Sequence, residues 1–473
     1  KTKLFNYLIH NFSPTSNPPP ITFILLILIS IFSQPAEAAT ITVTNLNDSG
    51  VGSLRQAIIS ANNAPGSDTI VFQPGLRGTI TLTGGIFDGA IEITDSLIIN
   101  GPGASVLAVS GNYTSGIFSI DGYQKSITIN RLTLKEGTGS GGSGGAIYNR
   151  SGTVTINNCV LSGNTGRYGG GIYSDGDAVT ITNSTLSGNS SFCGGGIYSN
   201  RGTLTITNST LSGNSATSEG IWSCGGHGGG IYSDGSTLTV TNSTLSGNSA
   251  EYNGGGIYND VYGKTMTLIN RTLSGNSAEY NCGGIYIDRS GGTLKIGNSI
   301  VAGNAAPAGK EIYMGQSTTF ISQGHNLFSG NGLIGATPAY NDLTLLGPIT
   351  TAISPLANNG GPTQTHLPVA GGPAIDTGDN TLIPTGVISD QRGQPRIQNV
   401  IVDIGAVEAG GTPTPTQSLT IHYYQSILGR TPDPSGFLYW ESEIARLQGL
   451  AVDIREAFRV MAGQFFTSAE YLN

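Results

Sequence analysis

One short phrase recurs along the middle of this chain and restricts its fold more than any other feature. The phrase is GGxIY or a close variant, and six copies lie between residues 144 and 287. Its isoleucines are Ile147, Ile172, Ile197, Ile231, Ile257 and Ile285. Successive copies are therefore 25, 25, 34, 26 and 28 residues apart. A period in this range is typical of solenoids, propellers and other repeat architectures.

Within each repeat, the residue pattern predicts three short β-strands and no helix. The segment TLTVTN, Thr237–Asn242, alternates apolar and polar residues as a half-buried strand does. The phrases IYS and TLSGN supply two further strands of the same repeat. An all-β fold, the right-handed parallel β-helix, satisfies this pattern, because each strand then pairs with its equivalent about 4.8 Å away in the next coil. We expect about a dozen such coils.

Stacked repeats place like residues over one another, and the sequence predicts the resulting columns. The repeated isoleucines should form an inward ladder. Two sets of asparagines occupy two fixed positions of the coil: Asn183, Asn208, Asn242 and Asn270, and Asn189, Asn214, Asn248 and Asn276. Asparagine tolerates the left-handed conformation of tight turns, and stacked amides can hydrogen-bond along an axis. The glycine triplets suit sharp corners with positive φ and closely approaching backbones.

The amino terminus has the features of a secretory signal peptide, which we assign to residues 1–38. Lys1 and Lys3 precede the apolar run Ile21–Phe32, and a small-x-small cleavage site follows at Ala36–Ala38. The run is shorter than the roughly 20 residues that span a bilayer, although a retained anchor is the alternative. After removal of the signal we expect no transmembrane span. The protein is therefore predicted to be secreted or displayed at the cell surface.

The net charge of the chain argues against one class of partner, nucleic acid. The formal net charge of the 473 residues is −8, whereas proteins that bind nucleic acid present a clustered basic face. We therefore expect no nucleic-acid partner. Glycine accounts for 72 residues but lacks the triplet period of collagen, which leaves the longer repeat as the feature that determines the fold.

The repeat phrases resemble those of known bacterial surface proteins. Gly144–Asn149, GGAIYN, and Leu186–Asn189, LSGN, are similar to the GGAI and FxxN repeats of polymorphic outer membrane proteins, with Leu in place of Phe. More widely, the chain resembles bacterial surface proteins with the pectin-lyase-like β-helix. This resemblance implies a right-handed parallel β-helix on a secreted or surface-displayed bacterial protein.

The segment before the repeats carries the same resemblance. Val43–Ile58 is similar to the CSLREA domain that opens such proteins, although Gly52 stands in place of its Cys and Gln56 in place of its Glu. The resemblance implies an N-terminal cap over residues 39–66. Within it, Ser53–Ala64 should form a short helix over the open edge of the first coil, which would otherwise promote aggregation.

The segment after the repeats is similar to a known type of tail. Ala357–Glu408 contains ANNGGPTQTHLP, GGPAIDTGD, SDQRGQPR and VDIGAVE, which together resemble the choice-of-anchor tail of the same bacterial proteins. We therefore assign a parallel β-helix to residues 67–409. Its regular repeats occupy residues 144–304, and its tail occupies residues 348–409.

A change in composition near residue 410 indicates a second domain. Residues 410–417, GGTPTPTQ, form a semi-rigid Pro/Thr linker. Residues 418–473 contain three amphipathic helical segments, which predict a small all-α domain. Leu428–Trp440 and Thr467–Leu472 resemble a helical domain of unknown function that is likened to phycobilisome linkers, and one interpretation is that this domain is truncated. Its core is predicted to contain Tyr439, Trp440 and Phe465, and docking to a partner is the alternative role.

Carboxylates recur three residues after the repeated isoleucine. They are Asp234, Asp260 and Asp288, and stacking would place them about 5 Å apart. The simplest interpretation is that each Asp opens a turn. One alternative is a calcium site, because hard cations prefer oxygen ligands. Another is a catalytic pair, since the two carboxylates of glycosidases lie about 5 to 9.5 Å apart.

A tyrosine follows the repeated isoleucine in all six copies. These residues are Tyr148, Tyr173, Tyr198, Tyr232, Tyr258 and Tyr286. If the isoleucine points inward, the tyrosine points outward, and successive rings can stack to stabilise the fold. The alternative is a surface that contacts sugar rings or a partner protein, with the last five tyrosines and Trp222 as ligand contacts. Trp222 lies in the longest repeat, in a loop that we expect to project from the wall.

The four cysteines are too few for a disulfide framework in a secreted chain of this length. Cys193 and Cys224 precede glycines in adjacent coils, which makes a disulfide between them sterically feasible. A zinc site built from Cys193, Cys224, Cys282 and His227 is the weaker alternative, because the ligand spacing is not compact.

These observations favour a structural, adhesive or other binding role without catalysis, and we assign no catalytic residue and no cofactor other than the calcium alternative. Glycans or other surface proteins are the expected partners. A polysaccharide lyase or glycoside hydrolase on the same fold is one alternative, which depends on fold analogy. Calcium-dependent surface assembly through the tail and helical domain is another.

Overall fold

The computed structural model of the protein describes residues 38–85, 89–139, 144–218, 224–260, 263–288, 291–409, 415–428, 434–450 and 452–466. Over these ranges the chain forms a parallel β-solenoid of about 10 turns followed by helices. The prediction of an all-β parallel solenoid with a small helical C-terminal part is confirmed. The number of turns is slightly smaller than the dozen expected.

Three long parallel sheets run along the solenoid within the described ranges. The long-strand sheet contains Thr40–Val43, Asp68–Phe72, Leu97–Asn100, Ser126–Asn130, Thr153–Asn157, Ala178–Thr182, Thr203–Thr207, Thr237–Thr241, Thr265–Ile269, Thr293–Gly297 and Thr319–Ser322. The tyrosine sheet contains Ile91–Ile93, Phe118–Ile120, Ile147–Asn149, Ile172–Asp175, Ile197–Asn200, Ile231–Asp234, Ile257–Asp260, Ile285–Ile287, Ile312–Met314 and Leu333–Ile334. The leucine sheet contains Gly78–Thr81, Leu107–Ser110, Thr133–Lys135, Val160–Ser162, Thr185–Ser187, Thr210–Ser212, Thr244–Ser246, Thr272–Ser274, Ile300–Val301, Leu327–Ser329 and Leu343–Leu345.

A fourth, short sheet was not predicted from the sequence. It contains Ser190–Ser191, Ser215–Ala216, Ser249–Ala250 and Ser277–Ala278. These dipeptides follow the SGN phrase in four consecutive coils and pair in parallel. Their two-residue length is too short for the alternation of apolar and polar residues to be recognised in the sequence.

The register between coils places identical residues over one another. Ile172 pairs with Ile197, Ile197 with Ile231, and Ile231 with Ile257. All of these isoleucines are fully buried in one continuous apolar core. The inward ladder expected from the sequence is confirmed, and apolar burial along it is the main stabilising contribution of each coil.

The two asparagine columns have different physical roles. Asn183, Asn208, Asn242 and Asn270 have φ values between 45° and 55°, so they occupy left-handed turns. The second column forms a buried amide ladder. In this ladder, Nδ2 of Asn214 donates to Oδ1 of Asn248 at 2.9 Å and to the Leu186 carbonyl at 3.0 Å. The same pair of bonds recurs in successive coils, so the ladder satisfies polar groups inside the solenoid.

The glycine triplets form corners in which backbones approach closely. Gly194 has a φ of 68°, in the left-handed region. A Cβ on Gly195 would lie 2.4 Å from the carbonyl oxygen atoms of Gly229 and Ser215. Both reasons predicted for glycine at this corner are therefore present in a single triplet.

A helix, α1 (Leu54–Asn63), lies at the amino-terminal end of the solenoid. The Ser53 hydroxyl caps it by accepting from the Gln56 backbone N–H at 3.2 Å. Its buried face includes Leu54 and Ile58, which join the solenoid core. The short helix expected at this place is confirmed.

After Leu345, the last residue of the leucine sheet, the chain runs back along the outside of that sheet. Two 3₁₀ turns, Ile349–Thr351 and Asn380–Leu382, lie in this segment. The buried Gln391 side chain connects the segment to two coils. Its Nε2 donates to Thr210 Oγ1 at 2.8 Å, and its Oε1 accepts from Thr244 Oγ1 at 2.7 Å.

Further contacts extend this returning segment, residues 346–409, along several coils. A nitrogen atom of His366 lies 2.9 Å from Ser246 Oγ. Asn298 Nδ2 donates to the Asp379 carbonyl, and Asn298 Oδ1 accepts from the Asp379 N–H, both at 2.8 Å. The returning segment therefore covers the leucine sheet from the coil of Thr210 to the coil of Ile300.

Three helices follow: α2 (Pro415–Ile427), α3 (Pro434–Gly449) and α4 (Ile454–Phe466). They pack around a separate aromatic core that includes Trp440 and Phe465, both of which were predicted to be buried. The prediction for Tyr439 is wrong. Its side chain is 54% exposed, because Trp440, not Tyr439, lies on the face of α3 that contacts α4. None of the described helices combines the length and apolar character that crossing a membrane requires.

Candidate functional site

The most distinctive surface of the molecule is the outer face of the tyrosine sheet. Each inward isoleucine is followed by an outward tyrosine, as strand alternation requires. We call the resulting row the tyrosine file: Tyr148, Tyr173, Tyr198, Tyr232, Tyr258, Tyr286 and Tyr313. From Tyr173 onward, neighbouring ring centroids lie 4.6 to 5.5 Å apart and the rings are stacked. Tyr313 was missed, because its phrase, EIYM, lacks the preceding glycine pair.

The middle of the tyrosine file is covered, which the sequence did not indicate. Tyr198 is 8% exposed and Tyr232 is 4% exposed. They belong to a second apolar cluster, outside the solenoid core, together with a disulfide between Cys193 and Cys224. Tyr173, near one end of the file, is half-buried. The central rings therefore act as packing residues, and a ligand can contact the file mainly at its less covered members.

Each central tyrosine donates a hydrogen bond to the carboxylate of the next coil. Tyr198 Oη donates to Asp234 Oδ2 at 3.1 Å, and Tyr258 Oη donates to Asp288 Oδ2 at 2.9 Å. The intermediate pair, Tyr232 and Asp260, is joined at 3.5 Å. The tyrosines and aspartates, which the sequence presented as two separate columns, thus form one network that connects successive coils.

Burial and the neighbouring carboxylates raise the pKa values of five phenol groups in the file. Burial, followed by the Asp175 carboxylate, raises the pKa of Tyr173 to about 12. Burial, with Asp288 as the next cause, raises the pKa of Tyr286 to about 12 as well. The pKa values of Tyr198, Tyr232 and Tyr258 are raised further, again chiefly by burial. These five phenol groups are therefore uncharged at neutral pH.

A cavity of about 340 Å³ opens on this face. It is lined by Tyr168, Tyr173, Tyr198, Cys224, Tyr232, Asp234 and Asp260. Its walls combine aromatic rings with two half-buried carboxylates. None of the described residues that line it is Lys or Arg. Such a cavity can hold an apolar ring face and can accept hydrogen bonds from hydroxyl or ammonium groups.

A second, shallower cavity of about 610 Å³ lies along the same column of residues. It is lined by Tyr123, Arg150, Ser151, Asp175, Gly176, Asp177, Arg201 and Gly202. Strand register places Asp175 beside Asn200, Asn200 beside Asp234, and Asp234 beside Asp260. Asp175 therefore connects the second cavity to the first along the solenoid axis.

The other predicted site residues have the following positions. Asp288 accepts from Tyr258 but does not line the first cavity. Trp222 lies outside the described residues. Across the described part of the chain, no group of three or more His, Cys, Asp or Glu side chains is arranged to hold a metal ion. Cys282, one of the weaker zinc candidates, is fully buried and donates to the Ile285 carbonyl at 2.8 Å.

The residues that flank the file were not predicted from the sequence. Tyr168 lines the cavity, and its ring centroid lies 5.3 Å from that of Tyr198. The Arg167 guanidinium lies 5.3 Å from the Tyr168 ring centroid. Tyr252 and Tyr280 form a second stacked pair at 4.9 Å. Tyr252 and Tyr280 both stand in the repeated phrase AEYN, so their stacking could have been predicted from the sequence. Tyr168 stands in RYGGG, which is not repeated, and gives no such signal.

Comparison with known proteins agrees with the solenoid and gives its handedness. Residues 144–341 match the family model described as "Right handed beta helix region". The crystal structure of pectate lyase Pel9A aligns with 79% of this chain and 98% of its own, at a TM-score of 0.41 and 14% sequence identity. No curated protein matches the chain. The family match over residues 144–341 and the parallel sheets together define the class as a right-handed β-helix.

Proposed function

We propose that this chain is a secreted or surface-displayed bacterial β-helix protein that binds glycans through the tyrosine sheet without cleaving them. The observation that carries the proposal is the cavity in which Tyr168 and Tyr173 stand beside Asp234 and Asp260. The half-buried rings offer apolar faces to a sugar ring, and the carboxylates accept hydrogen bonds from its hydroxyl groups. The signal-like amino terminus and the resemblance to bacterial surface proteins support the location.

The charge of the cavity favours binding over lyase chemistry on uronates. A uronate polymer is anionic, and the Asp234 carboxylate on the cavity wall would repel it. The described lining residues provide no Lys or Arg to offset that repulsion. A neutral or cationic glycan avoids this cost. Register also places Asp234 and Asp260 in one column that continues toward the second cavity, which suits a polymer lying along the axis.

The tyrosine network also explains a structural role. Stacked rings and bonds between coils stabilise the rod, while Tyr168 and Tyr173 at the cavity remain half-buried. Replacing Tyr198, Tyr232 and Tyr258 together would therefore test stability and binding at once. The half-buried Tyr168 and Tyr173 allow the two to be separated.

The test is a glycan-array screen of the full chain, followed by calorimetry of the oligosaccharides it retains. We expect Tyr168→Ala and Tyr173→Ala each to weaken binding by about tenfold, because each removes an aromatic face from the cavity. Tyr280→Ala is the matched control, since Tyr280 is exposed and lies outside the cavity. Unchanged affinity in both cavity variants would refute the proposal. Release of shortened or unsaturated oligosaccharides would instead establish the enzyme alternative.

A further inference from the structure

The outer face of the long-strand sheet carries a regular array of threonines that the proposed function does not use. A central column takes one threonine from each of six consecutive coils, and each lies directly opposite the next: Thr128, Thr155, Thr180, Thr205, Thr239 and Thr267. All six alternate with buried apolar residues and are themselves partly exposed. Water therefore meets the same side chain at each step of about 4.8 Å along the axis.

The array extends to both sides of the central column. In the five strands from Thr153–Asn157 to Thr265–Ile269, threonine fills twelve of the fifteen outward positions. Asn157, Ala178 and Ile269 fill the others, so none of the fifteen residues is charged or aromatic. Alternate residues of a parallel strand are about 6.6 Å apart. The face is therefore a rectangular grid with repeats of about 4.8 and 6.6 Å.

The hydroxyl groups of the central column are available to an external partner. Within the described part of the chain, none of these six hydroxyl groups has a hydrogen-bond partner. On the leucine sheet, by contrast, Thr244 Oγ1 donates to Gln391 Oε1 at 2.7 Å. The returning segment reaches the edge of the grid near Thr241, which is buried, whereas the central column stays partly exposed.

Threonine is also suited to a rigid grid. Its β-branched side chain has a restricted χ1 angle, which favours like positions of the hydroxyl and methyl groups in successive coils. High β-propensity alone does not explain the choice, because valine and isoleucine share it and neither stands at any of the six positions in the central column. The column therefore combines regular spacing with a hydroxyl group at every step.

A grid of this kind matches a crystalline surface better than a single molecule. Hexagonal ice exposes rows of oxygen atoms whose two repeats are close to the two spacings of the grid. Each threonine hydroxyl can donate and accept hydrogen bonds as a lattice water does, and the methyl groups offer water no competing partner. A crystalline polysaccharide fits less well, because sugar rings pack on aromatic faces and the grid contains none.

We infer that the threonine face of the long-strand sheet binds ice. Adsorbed protein would hinder growth of the crystal plane that it contacts. This face lies on a different sheet from the cavity of the proposed glycan site, so the inference does not depend on that function.

The experiment grows an ice hemisphere slowly from a dilute solution of the full chain and measures protein in the ice and in the remaining liquid. We expect the chain to be enriched in the ice relative to serum albumin, which serves as a protein excluded by growing ice. Thermal hysteresis, the gap between the melting and freezing temperatures of a seeded sample, should increase with protein concentration.

A matched pair of lysine variants connects retention in ice to this face. Thr205→Lys should reduce retention several-fold, because a long charged side chain would hold ice away from the neighbouring threonines. The fold accepts lysine here, since Lys295 stands opposite Thr267 in the same column. Ser187→Lys is the control on the leucine sheet, where Lys135 stands in the same column as Ser162 and Ser187. It should be retained as wild type is, and circular dichroism checks that both variants fold.

The outcomes separate this inference from glycan binding. Exclusion of the wild-type chain from ice to the same degree as albumin would overturn the inference. Equal retention of Thr205→Lys and Ser187→Lys would overturn it as well. Binding to crystalline cellulose or chitin that Thr205→Lys abolishes, without retention in ice, would assign the face to a polysaccharide instead. Glycan binding at the cavity is measured separately through Tyr168→Ala and Tyr173→Ala, which leave the threonine face unchanged.

Discussion

The hydroxyl group of Tyr198 donates to the carboxylate of Asp234, one coil further along the solenoid, at 3.1 Å. Strand pairing already joins their coils through the backbone, and this bond adds a side-chain connection on the outer face. Tyr258 and Asp288 repeat the arrangement. The bond has two consequences: it holds the tyrosine ring within the stacked file, and it fixes a carboxylate at the edge of the cavity.

The buried phenols should make the fold sensitive to alkali. The pKa values of Tyr198, Tyr232 and Tyr258 are higher in the folded protein than in the unfolded chain, where they are near 10. The contribution of these phenols to stability is therefore complete below pH 10 and is lost as pH rises above it. We expect urea denaturation to show the free energy of unfolding falling between pH 9 and about 11. Tyr232→Phe removes one of these groups and should flatten the decline. An identical slope in the variant would show that Tyr232 ionises as readily in the native protein as in the unfolded chain.

The asparagine ladder should be a major source of stability for each coil. Asn214→Ala would leave the Leu186 carbonyl and the Asn189 amide without their partner inside the solenoid. We expect the free energy of unfolding to fall by about 3 kcal/mol, since unsatisfied buried groups cost about 1–3 kcal/mol each. Asn183→Gly is the control. It lies in the turn column with a φ of 50°, where glycine is tolerated, and should change stability little. Comparable losses in the two variants would contradict separate roles for the columns.

The ladder ends at a carboxyl group that should respond to pH near neutrality. Glu311 Oε2 accepts from Asn304 Nδ2 at 2.6 Å, in the position where another coil would supply an asparagine. Burial raises the pKa of Glu311 to about 7. Because the pKa of Glu311 is higher in the folded protein than in the unfolded chain, its contribution to stability is complete below pH 4.5 and is lost as pH rises through about 7. Over this range the free energy of unfolding should fall by about 3 kcal/mol.

Glu311→Gln isolates this effect from the buried acids of the returning segment, such as Asp403, whose pKa is raised to about 6, mainly by burial. We expect the difference in unfolding free energy between wild type and Glu311→Gln to change steadily from pH 4.5 to pH 7.5. Chemical denaturation at several pH values measures it. A difference that stays constant with pH would indicate that Glu311 titrates normally.

The buried guanidinium group of Arg271 should destabilise the fold. Arg271 is fully buried, and within the described part of the chain its guanidinium nitrogen atoms have no hydrogen-bond partner. Burial lowers its pKa well below the usual value. We expect Arg271→Met, which retains volume without charge, to raise the free energy of unfolding by about 3 kcal/mol. Arg271→Lys retains the cation and serves as the control. A destabilised methionine variant would reveal an anion or another partner for the guanidinium.

The solenoid could be predicted because its information is repeated in every coil. Ile172, Ile197 and Ile231 stand in the same phrase, so one strand assignment fixed the others. Strand alternation also implied the contact between tyrosines and aspartates. Tyr232 and Asp234 are two residues apart and therefore share a face of the sheet.

Features that occur once along the chain could not be predicted in the same way. Tyr168, whose ring centroid lies 5.3 Å from that of Tyr198, stands in the phrase RYGGG, which occurs once in the chain. The path of the returning segment depends on Gln391 and His366, which are more than a hundred residues from the serines and threonines they contact. Periodicity carries no information about such pairs, because it describes neighbours within the stack.

Because the returning segment covers only part of the solenoid, the two halves of the rod differ in their resistance to mechanical unfolding. Coils before Thr210 are held by their immediate neighbours, as in any solenoid. Coils from Thr210 to Ile300 are also fastened from outside by residues 346–409. Pulling forces on this protein would therefore open the amino-terminal coils first, and the rod would lengthen from that side while its carboxyl half kept its shape.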